Sequence, residues 1–486
     1  MSAGSSGFTN FSRVSNNYSL YSQFGRVNYT YADKYIFEGV VRRDGSSKFG
    51  SDSRYGVFPS VSAGWVISKE NFFKDVSFVN NLKIRGSWGK LGNYLNVDPN
   101  NAFNLYGGTP DGFSTGSYYD INGTSTSSVQ GFTATRIGNP QTSWEEDVLT
   151  NVGLDAVLFK NKLDFTFEWY NKKINGLLFQ DQVPIIATGG AAAPTINIGD
   201  IKNTGIDLSA TYHGTINRDF KFDVGLIFSR YKNEITSIPG TGGYFDDGYS
   251  RIGAFVRNQV GQATGAFFGY KVIGIFQDQA DVDKSPTQDQ AKAGRFKYLD
   301  ANGDDVITDQ DRVFFGNPNP DFTYGLNLGA TYKGFDFSMF LYGSQGNDLI
   351  NYVRYWTDFY PSFQGVKSKD ALYNSWSPDN PNAKLVQLSD DANFSTNQTV
   401  NSYYLEDGSY LRCKSLVIGY TLPSSLLKKI HVDRCRFYVQ AANLFTITNY
   451  TGLDPELSGY TTAFGIDFGN YPNNQRNFNV GVNLSF

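Results

Sequence analysis

The chain is 486 residues long and carries 32 Tyr, 40 Phe, 6 Trp and 51 Gly against 2 Met and 2 Cys, with a formal net charge of -4 and a mean hydropathy of -0.37. No run of about eighteen apolar residues occurs, which excludes a membrane-spanning helix, and a nucleic-acid binder would show a basic surplus that is absent here. Many aromatics at low hydropathy suit strands facing two solvents, because alternation hides a membrane barrel from hydropathy averaging.

Residues 1–20 read as the end of an outer loop. Period-two alternation bounded by turn residues then predicts strands at 22–31, 34–45, 58–68, 82–91, 147–159, 162–175, 202–213, 220–231, 321–333, 335–346, 409–420, 434–443 and 477–486. Most are longer than the usual soluble strand and suit a tilted crossing of a bilayer. The last, NFNVGVNLSF, sets Phe478, Val480, Val482, Leu484 and Phe486 on one side and Asn, Gly and Ser on the other. That is a lipid-facing stripe closed by an aromatic at the interface.

The connections alternate in length. YADK, FKNK, HGTINRD and YKGF are short, and SKENFFKDVSFVNN and LPSSLLKKIHVDR are of medium length. Loops at about 92–146, 176–201, 232–320, 347–408 and 444–476 are long. All short and medium links fall on one rim and all long ones on the other, the asymmetry of an outer-membrane barrel. ATGAFFGYKVIGIF (263–276) would break that parity as a crossing, so it belongs inside an outer loop. The fold class expected is all-β: an antiparallel transmembrane outer-membrane β-barrel over 21–486. Thirteen crossings are an odd number, whereas a single antiparallel barrel closes on an even count. MSAGSSGFTN also lacks the basic start and apolar core of a signal peptide. Both point to the C-terminal part of a larger barrel.

Several segments resemble the SusC/RagA group of TonB-dependent outer-membrane transporters: KYIFEGVVRRDGSSKFG, FPSVSAGWVISKENFF, LKIRGSWGKLGN, GNPNPDFTYGLNLGATYKGFDFSMFLYGSQGND, YLRCKSLVIGYTLP and FYVQAANLFTITNYTGLDPE. NPQTSWEED, LDFTFEWYNKKINGLL and NIGDIKNTGIDLSATY resemble the wider TonB-dependent receptor pattern. The resemblance implies a barrel of twenty-two strands, of which thirteen would be present, with the plug domain and TonB-engaging segment missing from this chain. It implies import of oligosaccharides or peptides, a SusD-like surface lipoprotein as lid, TonB as the energy partner through the N-terminal part, and no nucleic-acid partner.

DANGDDVITDQD (300–311) has the spacing of a calcium loop. Asp300, Asn302, Asp304, the Val306 carbonyl, Thr308 and Asp311 take the ligand positions, although Asp305 stands where Gly makes the turn and Asp311 where a longer Glu is usual. The alternative is a solvated acidic turn, and the expected role of calcium is structural. Tyr352, Tyr355, Trp356, Phe359, Tyr360 and Phe363 crowd one loop beside Asp358, with Tyr118, Tyr119 and Asp120 in another. These could stack on sugars, meet a lid protein or pack within the loop.

The Arg42 and Arg43 pair in RRDGSSKFG (42–50) is expected on the rim facing the lumen. Glu145 and Glu146 of WEED should face opposite sides of a strand, and Cys413 and Cys435 should be apolar strand residues rather than a disulfide. His213 and His431 stand without carboxylate or cysteine neighbours in sequence and read as structural. With only these two histidines, both placed in short links, a barrel enzyme with a nucleophile and His base is disfavoured. A secreted β-sandwich adhesin or glycan-binding module is the other alternative, and it would need no lipid.

Overall fold

The computed structural model describes residues 17–107, 118–120, 128–130, 133–180, 189–239, 242–427, 432–457, 459–470 and 474–486. One antiparallel sheet runs through the chain in sequence order. Its strands are β1 (Leu20–Tyr31), β2 (Tyr35–Ser46), β3 (Tyr55–Val66), β4 (Val79–Asn93), β5 (Glu145–Leu158), β6 (Leu163–Asn175) and β7 (Asp200–Thr215), followed by β8 (Phe220–Ser237), β9 (Phe322–Tyr332), β10 (Phe335–Gln345), β11 (Tyr410–Thr421), β12 (Arg434–Ala442) and β13 (Asn477–Ser485). These are the thirteen strands expected from alternation; the sheet gains a short fourteenth, Thr446–Thr448, paired beside the start of β11, and 263–276 lies outside it, split into Phe267–Tyr270 and Val272–Ile275. β8 runs six residues further than the alternation suggested, because Tyr231, Asn233 and Ile235 stay paired with β7 after β9 has left.

The tight turns have the backbone that a right-twisted hairpin needs. Between Tyr332 and Phe335, Lys333 and Gly334 take φ of 44° and 91°, the left-handed pair of a two-residue primed turn. A Cβ on Gly334 would lie 2.9 Å from the Thr421 carbonyl oxygen, so both conformation and space call for glycine.

The faces differ as a bilayer requires. Val61, Trp65, Ile84, Trp88, Val152, Trp169, Leu226, Ile418 and Val439 stand exposed on the outside, as do Phe478, Val480, Val482, Leu484 and Phe486 of the last strand and its end. In water this much exposed apolar surface would be untenable, whereas a surround of hydrocarbon accommodates it. At the short-turn rim the rings run edge to edge: Tyr31 on Tyr35, Tyr35 on Trp65, Trp65 on Phe72, Phe78 on Phe159, Tyr212 on Phe222, Phe220 on Tyr332 and Phe335 on Tyr420. This is an interfacial girdle.

The inward face is polar. Arg85 on β4 donates from Nε to Asp155 (3.0 Å) and pairs with Glu168. Lys172 meets Asp147 at 2.8 Å, and Arg436 grips Asp336 through two bonds of 2.8 and 2.5 Å. The Arg42 and Arg43 pair does not share the lumen. Neighbours on a strand point to opposite faces, so Arg42 bonds Asp44 while Arg43 lies 4.1 Å over the exposed Tyr55 ring.

Candidate functional site

On the rim opposite the girdle, three long connections fold into one body. Segments Tyr244–Ser250, Gly253–Gln259, Phe267–Tyr270 and Arg312–Gly316 form a four-stranded sheet. Asp348–Asn351 pairs with Leu405–Asp407 on one side and with Ile466–Asp467 on the other, tying the second and third connections together. Phe255, Phe267, Phe296, Tyr298, Ile350 and Tyr404 form the dry centre of this cap. Asn258, fully buried, locks it by donating to the Thr462 carbonyl (3.0 Å) and accepting from the Gly265 N–H (2.9 Å).

The aromatic segment placed among candidate ligand residues supplies much of that centre. Tyr352 and Phe359 are only 4% and 3% exposed and pack on Phe255, Tyr403 and Tyr404. Tyr355 and Trp356 are half-buried at the edge, with Arg251 5.0 Å over the Trp356 ring, and Tyr360 and Phe363 are exposed. Asp358 is engaged internally. Its carboxylate accepts from Arg354 Nε (2.9 Å), Tyr403 O–H (2.6 Å), Ser368 O–H (2.6 Å) and Thr357 O–H (3.0 Å). Burial pushes this carboxyl up, but the Ser368 and Tyr403 donors and Arg354 outweigh it and hold it below the usual carboxylate range. Tyr118, Tyr119 and Asp120 form a short strand with Ser128–Gln130; their side chains lie outside the described residues, as does His431.

The acidic loop closes on itself. Asp300, Asp304 and Asp311 bring carboxylate oxygens within 4.8 Å of one another. Asp305 adopts φ of 61°, the left-handed turn that Gly would make more cheaply. Asp300 accepts from the Gly303 and Asp305 N–H groups, Asn302 from the Asp304 N–H, and Asp304 from the Val306 N–H. Fully buried Asp311 accepts from the Ala301 N–H (2.9 Å) and the Thr308 N–H (2.7 Å). Burial raises the Asp311 carboxyl, and these backbone donors reverse the effect, leaving it low. Thr308 caps the short turn Asp309–Asp311 with its hydroxyl. The donors are all hard oxygens, the chemistry that Ca²⁺ takes.

Sequence reasoning missed a polar groove of about 530 Å³ lined by Asp289, Arg295, Asp391, Asn393, Phe394 and Gln398. Arg295 and Asp391 meet there at 2.7 Å. Its signal was the polar run DDANFSTNQT, which has no period. His213 was also misread. It lies in β7, not a link, and its ring nitrogens contact Asp223 (2.6 Å) and Asp164 (3.0 Å) across neighbouring strands. Both nitrogens are thus used by carboxylates, leaving none to activate a hydroxyl nucleophile. Glu145 is buried and accepts from the Leu178 N–H, whereas Glu146 pairs with Lys90, on opposite faces as expected. Cys413 and Cys435 are both free thiols and buried.

A family model described as TonB dependent receptor-like, beta-barrel, matches residues 2–444. The chain belongs to the TonB-dependent receptor β-barrel family. Among curated proteins it is 34% identical to TonB-dependent receptor P3 of Formosa agariphila over 480 residues, covering 96% of this chain and 45% of that protein. It is 30% identical to the TonB-dependent receptor SusC of Bacteroides thetaiotaomicron over 485 residues, covering 96% and 44%. Among solved structures, that of the RagAB peptide transporter superposes with a TM-score of 0.78 at 26% identity, covering 96% of this chain and 47% of that one. The chain therefore spans less than half the length of these relatives. As a SusC/RagA-type barrel it is an outer-membrane protein.

Proposed function

We propose that this chain is the lumen wall and outer cap of a SusC-like transporter importing oligosaccharides or peptides, without chemistry of its own. The observation that carries this is the two-faced wall: apolar outside, ion-paired inside and crowned by a folded cap. His213 is held by two carboxylates, which suits a structural role for it in the wall. In this reading a SusD-like lipoprotein closes over the cap, meeting the exposed Tyr360 and Phe363 and the half-buried Trp356, since Tyr and Trp favour such interfaces. The polar groove around Asn393 and Phe394 would hold part of the oligomer, with amides on hydroxyl or peptide groups and the ring beneath. TonB would act through the plug that such transporters carry ahead of the barrel. Calcium between Asp300, Asp304 and Asp311 would stiffen the cap.

The test is uptake by cells carrying the whole transporter and its lipoprotein, using fluorescent oligosaccharides and oligopeptides with TonB present or deleted. TonB-dependent entry of one class, reduced several-fold by Asn393→Ala with Phe394→Ala, is expected. Entry that ignores TonB, or failure of both classes to enter, would refute the reading.

A further inference from the structure

The outside of the wall carries a cationic patch that neither the conduit nor the cap explains. Lys173 on β6 lies directly opposite Lys202 on β7. Next to it on β8, Lys232 and Arg230 lie opposite Thr204 and Ile206. Residues opposite one another share a face, and this is the face of Phe167, Leu208 and Phe228, which are paired in the same registers. The inward face at this height is identified independently: Ile201 and Ile235 are buried against Leu177 and Ile198.

The height is also fixed. Lys202 stands ten residues above Tyr212 of the girdle on β7, and Lys232 ten above Phe222 on β8. At about 3.3 Å per residue and a tilt of about 40°, that is roughly 25 Å, the thickness of the apolar band. The patch therefore lies where the head groups of the outer leaflet begin, directly above Trp169 and Ile206.

Lys173, Lys202 and Arg230 make no side-chain hydrogen bond or ion pair with another described residue, and the only ion pair within the patch is Lys232 with Glu234 at 3.3 Å. Two lysines facing each other across adjacent strands repel, and the one carboxylate beside them, Glu234 opposite Lys202 on β8, is taken by Lys232, so a further anion would lower the remaining cost. Arg230 and Lys232 also border a groove of about 520 Å³ shared with Trp169, Thr204, Asn319 and Asp321. Elsewhere at this level the outward cations are satisfied: Arg43 stacks on Tyr55, and Lys90 holds Glu146 at 2.9 Å.

The geometry points to a binding site for a phosphorylated glycolipid of the outer leaflet, with Lys173, Lys202, Arg230 and Lys232 on its phosphates and sugar hydroxyls beside Thr204. Cations at membrane interfaces bind anionic head groups in this way.

The test is native mass spectrometry of the whole transporter extracted from outer membranes, offered phosphorylated or dephosphorylated lipid A in detergent. At least tenfold preference for the phosphorylated form is expected in the unaltered protein, a result that needs no variant. Replacing the four cations with Gln (K173Q, K202Q, R230Q, K232Q) should abolish that preference, whereas R43Q with K90Q should keep it. Equal retention of both lipids, or full retention by the fourfold variant, overturns the site. So does saturation by inorganic phosphate at lipid-like concentration, which would make it a free-anion site, or self-association through this face.

Discussion

The buried carboxylate at the centre of the cap sets the sharpest expectation. Asp358→Ala removes four accepted hydrogen bonds at once and leaves Arg354 without its partner at 2.9 Å. Breaking a buried pair by deleting one member costs about 3–5 kcal/mol. Glu406 lies 3.6 Å from Arg354 and can take up part of the charge, which favours the lower end, about 3 kcal/mol or a roughly 150-fold larger opening constant. Proteolysis of intact cells expressing the transporter reads this directly, because cleavage follows the open population when reclosing is fast. Cleavage within 346–409 should accelerate about a hundredfold while the strands remain protected and heat-modifiable. Pairing the change with Arg354→Met should recover part of the loss, since the one charge then left behind, Glu406, keeps its hydrogen bonds from Asn351 and Thr451. If Asp358→Ala alters cap cleavage less than threefold, or loosens the strands as much as the cap, the carboxylate does not organise this body as argued.

Other expectations are independent of that site. Trp144, 7% exposed and packed on Phe49, Phe58 and Tyr94, should cost about 3–5 kcal/mol as Ala, seen as faster cleavage in 94–144 without damage to the main cap. Millimolar calcium should slow cleavage in 238–321, and Asp300→Ala with Asp304→Ala should abolish the difference; indifference to calcium in the unaltered protein would dismiss the ion. Gly334→Val, at φ of 91° and against the Thr421 carbonyl, should cost about 1–3 kcal/mol and lower the yield of folded barrel in outer membranes. Asp358 and Asp311 both titrate below the ordinary carboxylate value in the folded cap. Their contribution is therefore complete above the unfolded value of about 3.9 and lost as pH falls through the folded values. Cap protection should hold from neutrality to about pH 4 and fall below it, and a cap equally protected at pH 2.5 would contradict the assignment.

The wall was legible because the bilayer imposes one rule on every strand. Lipid outside and water inside force a period of two, so the stripe Phe478, Val480, Val482, Leu484 is visible in letters alone. The cap obeys no such rule. Tyr352, Phe359, Tyr403 and Tyr404 are partners in one core, but they come from irregular backbone, and aromatics without a period do not announce which are buried. Cross-strand chemistry was hidden for a related reason. His213 meets Asp164 at a separation of 49 residues, and only register brings them together. The Arg42 and Arg43 error was avoidable, since alternation already sent neighbours to opposite faces.

Wall and cap thus answer to different solvents, and their polar groups do different work. On the wall, ion pairs such as Arg436 with Asp336 face the polar interior, where each contributes little stability. In the cap, Arg354, Asp358 and Tyr403 are withdrawn from water, where a satisfied network fixes one arrangement and a broken one is costly. A body that must keep one fixed shape without a regular lattice of strands gains from the second kind, whereas a wall already fixed by its strand register does not need it. The distribution of buried and wet charge along this chain follows that division between the outer rim and the wall.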